Sequence, residues 1–187
     1  MQDSFEYADE NFIASYVDEL NLYRKLRHKM ARVKLDRIDK KILNNLQENG
    51  RMTNVDLASE AGISAPPCLR RVRALEENGL ITGYHAVIDK SSLGYGVTVF
   101  AQVKLETHSD KDLVAFEEKV GAWDRVRECH MLAGEVDFIL KIVAKDWDDY
   151  QKFLTNELTA SPNVSSVKSA LTIRESKFKP GVPINID

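Results

Sequence analysis

The 187-residue sequence lacks most of the features that mark an enzyme, a secreted protein or a membrane protein. Its two cysteines, Cys68 and Cys129, stand far apart, with no CxxC and no Cys/His ligand spacing. That argues against a disulfide framework and fits reduced thiols in a cytosolic chain. The four histidines, His28, His85, His108 and His130, show no metal-ligand spacing either. No GxSxG, P-loop or GxGxxG occurs. Cys129 and His130 are adjacent on an expected strand, point to opposite faces, and so cannot pair as nucleophile and base. No catalytic residue, metal or cofactor is therefore expected. No apolar run approaches the roughly 18–20 residues of a membrane span, and the acidic start Met-Gln-Asp-Ser-Phe-Glu is unlike a signal peptide. A cytoplasmic location without a membrane partner is expected. Excess positive charge is missing too: the net charge is −3, so a generally basic nucleic-acid binder is excluded and the placement of the bases becomes the question.

The bases are placed tellingly in one stretch, Gly62-Ile-Ser-Ala-Pro-Pro-Cys-Leu-Arg-Arg-Val-Arg-Ala-Leu75. Gly62 supplies a turn conformation costly for other residues. Ser64 is expected to cap the next helix by accepting from its first free amides. Pro66 and Pro67 sit in the first turn, where a missing N–H costs little. Arg70, Arg71 and Arg73 follow before any acid. Upstream, Asp36 opens a helix carrying Ile38, Ile42, Leu43 and Leu46, with Leu35 as a staple. Thr53 and Asp56 resemble a capping box for a second helix that turns Val55, Ala58 and Ala61 inward. A third helix over about 65–77 stops at Asn78-Gly79, and residues 80–88 read as the two short strands of a wing. This is a winged helix-turn-helix over residues 34–88.

The third helix should be the one that reads a groove. Successive residues rotate by about 100°, so with Leu69 at zero, Val72 and Leu75 fall near −60° and −120°. With the buried face centred near −60°, the opposite face holds Pro66, Arg70, Ala74, Pro67 and Arg71, with Arg73 at its flank and Cys68 inward. Small or rigid residues at the leading end allow close approach to base edges, and arginine grips guanine or phosphate. The DNA-contacting set expected from this is Thr53, Ser64, Ala65, Pro66, Pro67, Arg70, Arg71 and Arg73. A solvated basic face is the bland alternative. The rival from another class is a metabolite-binding oligomer that uses its helix-turn-helix to hold a protein partner.

Residues 1–33 read as an amphipathic helical extension, with Phe12, Ile13, Tyr16, Val17, Leu20, Tyr23, Leu26 and Met30 at spacings of mostly three and four. Its first half is acidic and its second half basic. Residues 89–96 read as a linker. Beyond them, residues 97–106, 125–133, 137–143 and 164–173 read as strands, and 110–120 and 147–158 as helices. The order is β-α-β-β-α-β, a ferredoxin-like arrangement over residues 97–176. Residues 177–187 read as a tail. The fold class is thus α+β.

Leu35-Asp36-Arg37-Ile38-Asp39, Leu57-Ala58, Gly62-Ile63-Ser64, Cys68 to Arg73, and Leu75 to Ile81 resemble the Lrp/AsnC transcription factors. So do Glu128-Cys129-His130, Gly134 to Phe138, and Pro162-Asn163-Val164. The resemblance covers about residues 34–177 and omits 1–33. It implies a regulator that binds double-stranded DNA, forms homodimers through the second domain, and often assembles to octamers. It further implies an amino acid or related small-molecule effector held where dimers meet. The matching positions are Met131, Leu132, Ala133, Gly134 and Asp137, complemented from a neighbouring subunit by Ala170, Leu171 and Thr172, with Trp147 as a further position. Asp137 would pair with the ligand's ammonium, and a Gly134 turn would offer amides to its carboxylate. Trp147 and Ala170-Leu171-Thr172 differ from the leucine responder, so the effector is left open.

Overall fold

The computed structural model describes residues 34–186, which fall into two units. Residues 34–87 and 176–186 form the first; residues 88–175 form the second. The expected N-terminal amphipathic helix lies outside the described residues.

Three helices make the first unit: α1 (Arg37–Glu48), α2 (Asn54–Ala61) and α3 (Ala65–Glu77). Asp36 starts α1 with a full capping box. Its carboxylate accepts from the Ile38 and Asp39 amides at 2.8 and 2.9 Å, and its own amide donates to the Asp39 carboxylate. Thr53 starts α2 by accepting from the Asp56 amide. Gly62 ends α2 at φ 77°, and the Ile63 amide reaches back to the Ala58 carbonyl. That left-handed closure sets the tight turn into α3. Ile42, Leu57, Ala58, Ala61, Cys68 and Leu75 form the buried core of this unit. Val55, expected inward, is instead 68% exposed. Leu57 takes its place, because the α2 stripe runs through 57, 58 and 61.

Two further expectations are corrected. Ser64 is the N-cap of α3 but makes no side-chain cap bond. The amides it would cap belong to the second and third helical positions, and those are Pro66 and Pro67, which have none. Residues 80–88 form no strand, so the expected two-stranded wing is absent from the described residues. Residues 80 and 81 bend, their amides donating to the Leu75 carbonyl, and residues 82–88 carry no regular structure, with the Tyr84 hydroxyl bonded to Glu76 of α3 at 2.9 Å. Burial and then the Glu76 carboxylate push that phenol up to about 12. The expected tail is not loose: the Val182 amide donates to Gln47 of α1 at 2.6 Å, and Lys179 pairs with Glu48.

In the second unit, β1 (Val97–Leu105), β2 (Val126–Met131), β3 (Phe138–Ala144) and β4 (Val164–Leu171) form an antiparallel sheet in the order β2-β3-β1-β4. Helices α4 (Asp110–Gly121) and α5 (Trp147–Phe153) contribute Phe116, Val120, Tyr150 and Phe153 to its core. Strand alternation places Val99, Ala101, Val103 and Leu105 of β1 with Phe138, Leu140, Ile142 and Ala144 of β3 in that same core. Phe116 packs on Phe138 with ring centroids 4.8 Å apart. One π turn, Leu154–Leu158, extends α5. The expected linker is folded: Ser91–Leu93 is a 3-10 turn, and Lys90 Nζ donates to Thr98 Oγ1 at 2.5 Å. Gly62→Ala should lower stability by about 1 kcal/mol, the cost of a Cβ in left-handed backbone, seen as a lower urea midpoint with unchanged slope.

Candidate DNA and effector sites

The direction in which α3 is buried decides what it presents. Cys68 is fully buried and Leu75 nearly so, while Leu69 is 40% exposed. The buried face therefore centres nearer −110° than the −60° expected from hydrophobicity alone, a rotation of roughly 50°. The outward face then carries Pro66, Leu69, Arg70 and Arg73, all exposed. Arg73 moves from the flank to the centre. Leu69, read as core, becomes an exposed apolar group on that outward face. Nothing in its type or spacing distinguishes it from a core leucine. Burial pushes the Cys68 thiol above its ordinary value, which suits a packed residue.

Arg71 is corrected more sharply. Its Nη1 lies 2.8 Å from the Asp36 carboxylate and 2.7 Å from that of Asp39. The two acids that cap α1 also hold α3 by one guanidinium. Arg71 thereby joins the two helices and lies off the outward face of α3. The Asp39 backbone bond, and next Arg71 itself, hold the Asp36 carboxyl below its ordinary 3.8 against the opposing effect of burial. A depressed carboxyl contributes stability above its unfolded value and loses it as the pH falls through the folded value. The Asp36 side of the clamp is thus retained at neutral pH and is lost only as the pH falls below 3.8.

Asn54 supplies a second tie, for which no local motif is a signal: its Nδ2 donates to the Ala65 carbonyl at 2.8 Å. This fixes the start of α2 to the start of α3. Thr53, expected at DNA, spends its hydroxyl on Asp56 at 2.6 Å, yet remains exposed. Ser64 and Pro66 are exposed at the leading end of α3, and Ala65 and Pro67 are half-buried.

The expected effector residues divide within one chain. Met131, Leu132, Ala133, Gly134 and Asp137 lie where β2 turns into β3, at the end marked by the Met131–Phe138 and Phe138–Val103 pairs. Ala170 and Leu171 pair with Phe100 and Val99, and the Thr172 amide donates to the Thr98 carbonyl. Trp147 follows β3 at that same far end, 45% exposed and packed on Tyr150. Ala170, Leu171 and Thr172 stand level with Lys141, Ile142 and Val143 of β3, and so lie about 10–17 Å along the strands from Phe138 at roughly 3.3 Å per residue. One chain does not bring the two groups together.

Asp137 is not available to a ligand's ammonium in the expected way. It is 8% exposed, accepts from the Leu105 amide at 2.7 Å, and faces His108 Nε2 at 3.1 Å. Its own backbone carbonyl accepts from the Leu132 amide at 2.8 Å. The residue fastens the β2–β3 connection to the end of β1. Gly134 is not required by the backbone either: a Cβ there meets nothing within 4 Å and its φ is ordinary. Cys129 and His130 do face opposite ways. Cys129 packs against the core and burial pushes its thiol up to about 11, whereas His130 is exposed beside Glu128.

A three-helix unit with an exposed arginine face, joined to a four-stranded sensor-like unit, defines a two-domain DNA-binding regulator. Residues 35–82 match the family described as winged helix-turn-helix DNA-binding, and residues 98–182 match the Lrp/AsnC ligand binding domain. The chain is 51% identical over 148 residues to the leucine-responsive regulatory protein of Rhizobium meliloti, covering 79% of this chain and 95% of that one. It is 41% identical to the Bkd operon transcriptional regulator of Pseudomonas aeruginosa, over 80% and 98% of the two chains. A transcriptional regulator of Neisseria meningitidis, solved in complex with L-Met, superimposes with a TM-score of 0.77 at 33% identity, covering 81% of this chain and 98% of that one. The chain belongs to the Lrp/AsnC family of transcriptional regulators.

Two substitutions separate the roles of neighbouring arginines. Arg70→Ala should reduce the slope of log affinity against log salt by about 0.9 for each phosphate no longer neutralised. Arg71→Ala should weaken binding with the slope retained and should also lower the unfolding midpoint. Asp137→Asn removes the charge facing His108 and should cost about 1–3 kcal/mol, the range for weakening a buried polar interaction, read from urea unfolding.

Proposed function

We propose that the protein regulates transcription by inserting α3 into the major groove, with Pro66, Leu69, Arg70 and Arg73 facing the bases and phosphates. Thr53, Ser64, Ala65 and Pro67 flank that surface, and Arg71 orients the helix from behind. The observation that carries this reading is the outward face of α3, which combines two arginines and an exposed leucine while Arg71 and Asn54 fix the helix in place. A homodimer would set two such helices about one helical turn apart and favour a palindromic site. Residues 82–88, with Val87 and Ile88 exposed, support a surface that a second copy covers. Assembly of dimers into an octamer is part of the same reading, as are a cytoplasmic location and the lack of an enzymatic activity.

The effector is an amino acid or a related small molecule, as the Neisseria neighbour's L-Met complex supports. The separation of the two residue groups within one chain favours a pocket completed between subunits. One subunit contributes Met131, Leu132, Ala133 and Gly134, and another contributes Ala170, Leu171 and Thr172, with Trp147 beside them. Asp137 shapes the pocket by holding its loop and does not bind the ligand's ammonium. Effector binding shifts the population of assembly states through its differential affinity for them.

Selection of bound sites from random duplexes, with and without a panel of amino acids, tests the whole reading. A palindromic motif that depends on Arg70 and Arg73 is the expected result. Failure to enrich any sequence overturns the regulator reading and favours the interaction-module rival. Gly134→Leu should leave the fold and the basal DNA affinity intact, because the added side chain starts in open space. It should abolish the thermal stabilisation that the effective amino acid gives the unaltered protein.

A further inference from the structure

Among the described residues the chain passes between the two units twice, once after Val87 and once at Glu175–Ser176. The second passage is the informative one, because it begins at the proposed effector site. Ala170 and Leu171 close β4, and the Thr172 amide donates to the Thr98 carbonyl at 2.9 Å. The chain is held again a few residues later, now within the DNA-binding unit. Lys179 pairs with Glu48 at 3.5 Å, and the Val182 amide donates to Gln47 Oε1 at 2.6 Å. Gly181 lies between those two contacts at φ 83°, and a Cβ there would stand 2.0 Å from Gln47 Oε1. Only glycine fits. Pro180 and Pro183 flank the contact and restrict its backbone.

The helix gripped in this way also seats α3. Gln47 and Glu48 are the last residues of α1, while Asp36 and Asp39 at its other end hold Arg71 of α3 at 2.8 and 2.7 Å. The twelve residues of α1 span about 18 Å at roughly 1.5 Å per residue. A helix of that length moves as one rod, so a displacement of its last turn reaches Arg71 at its first. The stretch from Thr172 to Lys179 is short as well, and reaches at most about 25 Å when fully extended. A shift at the end of β4 that takes up the slack must move α1 or break the Gln47 bond. The bland alternative is a fixed cap: α1 has no basic residue in its last turn, and Lys179 supplies one there. Such a cap has no need of Gly181 or of the bond from Val182 to Gln47.

We propose that residues 173–186 are a strap through which an amino acid bound at Ala170, Leu171 and Thr172 repositions α1, and with it α3, with Gln47 as the positioning residue. This rests on the effector site being built on that end of β4. Loosening the grip on α1 should uncouple the two sites while leaving each able to bind.

The full chain is compared with Gln47→Ala, Gln47→Glu and Gly181→Ala. Gln47→Glu keeps an oxygen that accepts from the Val182 amide, whereas Gly181→Ala forces the strap off by its clash with Gln47. Each of the common amino acids is supplied singly at millimolar concentration. Thermal stabilisation without DNA reports effector binding, and affinity for a selected duplex with and without the same amino acid reports coupling. In the unaltered protein the stabilising amino acid should change DNA affinity by about 5–150-fold, the usual range of allosteric coupling. Gln47→Ala and Gly181→Ala should keep the thermal shift and the DNA affinity measured without amino acid, yet lose most of that fold-change. Gln47→Glu should retain it. Should Gln47→Ala fail to fold, Gly181→Ala, whose change lies outside every helix, carries the comparison. The strap is overturned if either weakened variant keeps the full fold-change, even with a lower unfolding midpoint, since that is the fixed cap. It is overturned equally if Gln47→Glu loses the response, if the thermal shift disappears, or if DNA affinity without amino acid falls. If an amino acid stabilises the unaltered protein without altering its DNA affinity, the effector site stands and the strap alone fails. If none stabilises it, the effector reading fails and the strap with it.

Discussion

The DNA-binding unit depends on the angle at which α3 is seated. A helix of thirteen residues with only two fully committed core positions, Cys68 and Leu75, has little apolar surface to fix its rotation about its own axis. Polar ties complete the job. Arg71 reaches the two acids that open α1, and Asn54 holds the carbonyl of Ala65. Because Asp36 and Asp39 also form the capping box of α1, the start of one helix and the roll of another are set by the same pair of side chains. Both bonds leave the one Nη1, whose two hydrogens serve the two carboxylates.

The sensor-like unit uses a carboxylate in a comparable way. Asp137 is nearly buried, and it engages a backbone amide of β1 and the His108 ring at once. A buried charge is tolerated only when it is this well partnered. The consequence is a β2–β3 connection whose base is fixed while its tip, from Leu132 to Gly134, stays exposed. A fixed base and an open tip suit a loop that must meet a ligand without a large penalty for rearranging. The other half of the proposed pocket lies at the opposite end of the sheet, so a pocket shared between subunits would make binding and assembly one process, and through it a small molecule would gain leverage over spacing between DNA-binding units.

Much of the molecule was legible in the chain itself. The β-α-β-β-α-β order, the three helices, the Asp36 and Thr53 caps and the Gly62 turn follow from local rules: alternation, periodicity, and which residues satisfy free amides or accept a left-handed backbone. The inward placement of Cys68 followed from the same periodicity. What failed did so for identifiable reasons. Ser64 has the right type for a cap, but its partners are prolines. Residues 80–88 have strand-forming composition, yet a strand needs a partner, and Tyr84 is held to Glu76 instead. Residues 177–186 resemble a tail, and only the fold brings Gln47 within reach of Val182.

The reading face shows the division most clearly. The sequence by itself determined that α3 is a helix, where it starts, and that it carries three arginines on sides other than its core, because these depend on spacing within one segment. Only the tertiary structure decided that Arg71 turns to Asp36 and Asp39, that Leu69 turns out, and that Arg73 joins Arg70. The first of those outcomes depends on residues far back in the chain, at the start of another helix. A rotation of roughly 50° about the helix axis changes no hydrophobic spacing, yet it decides which side chains the helix turns outward.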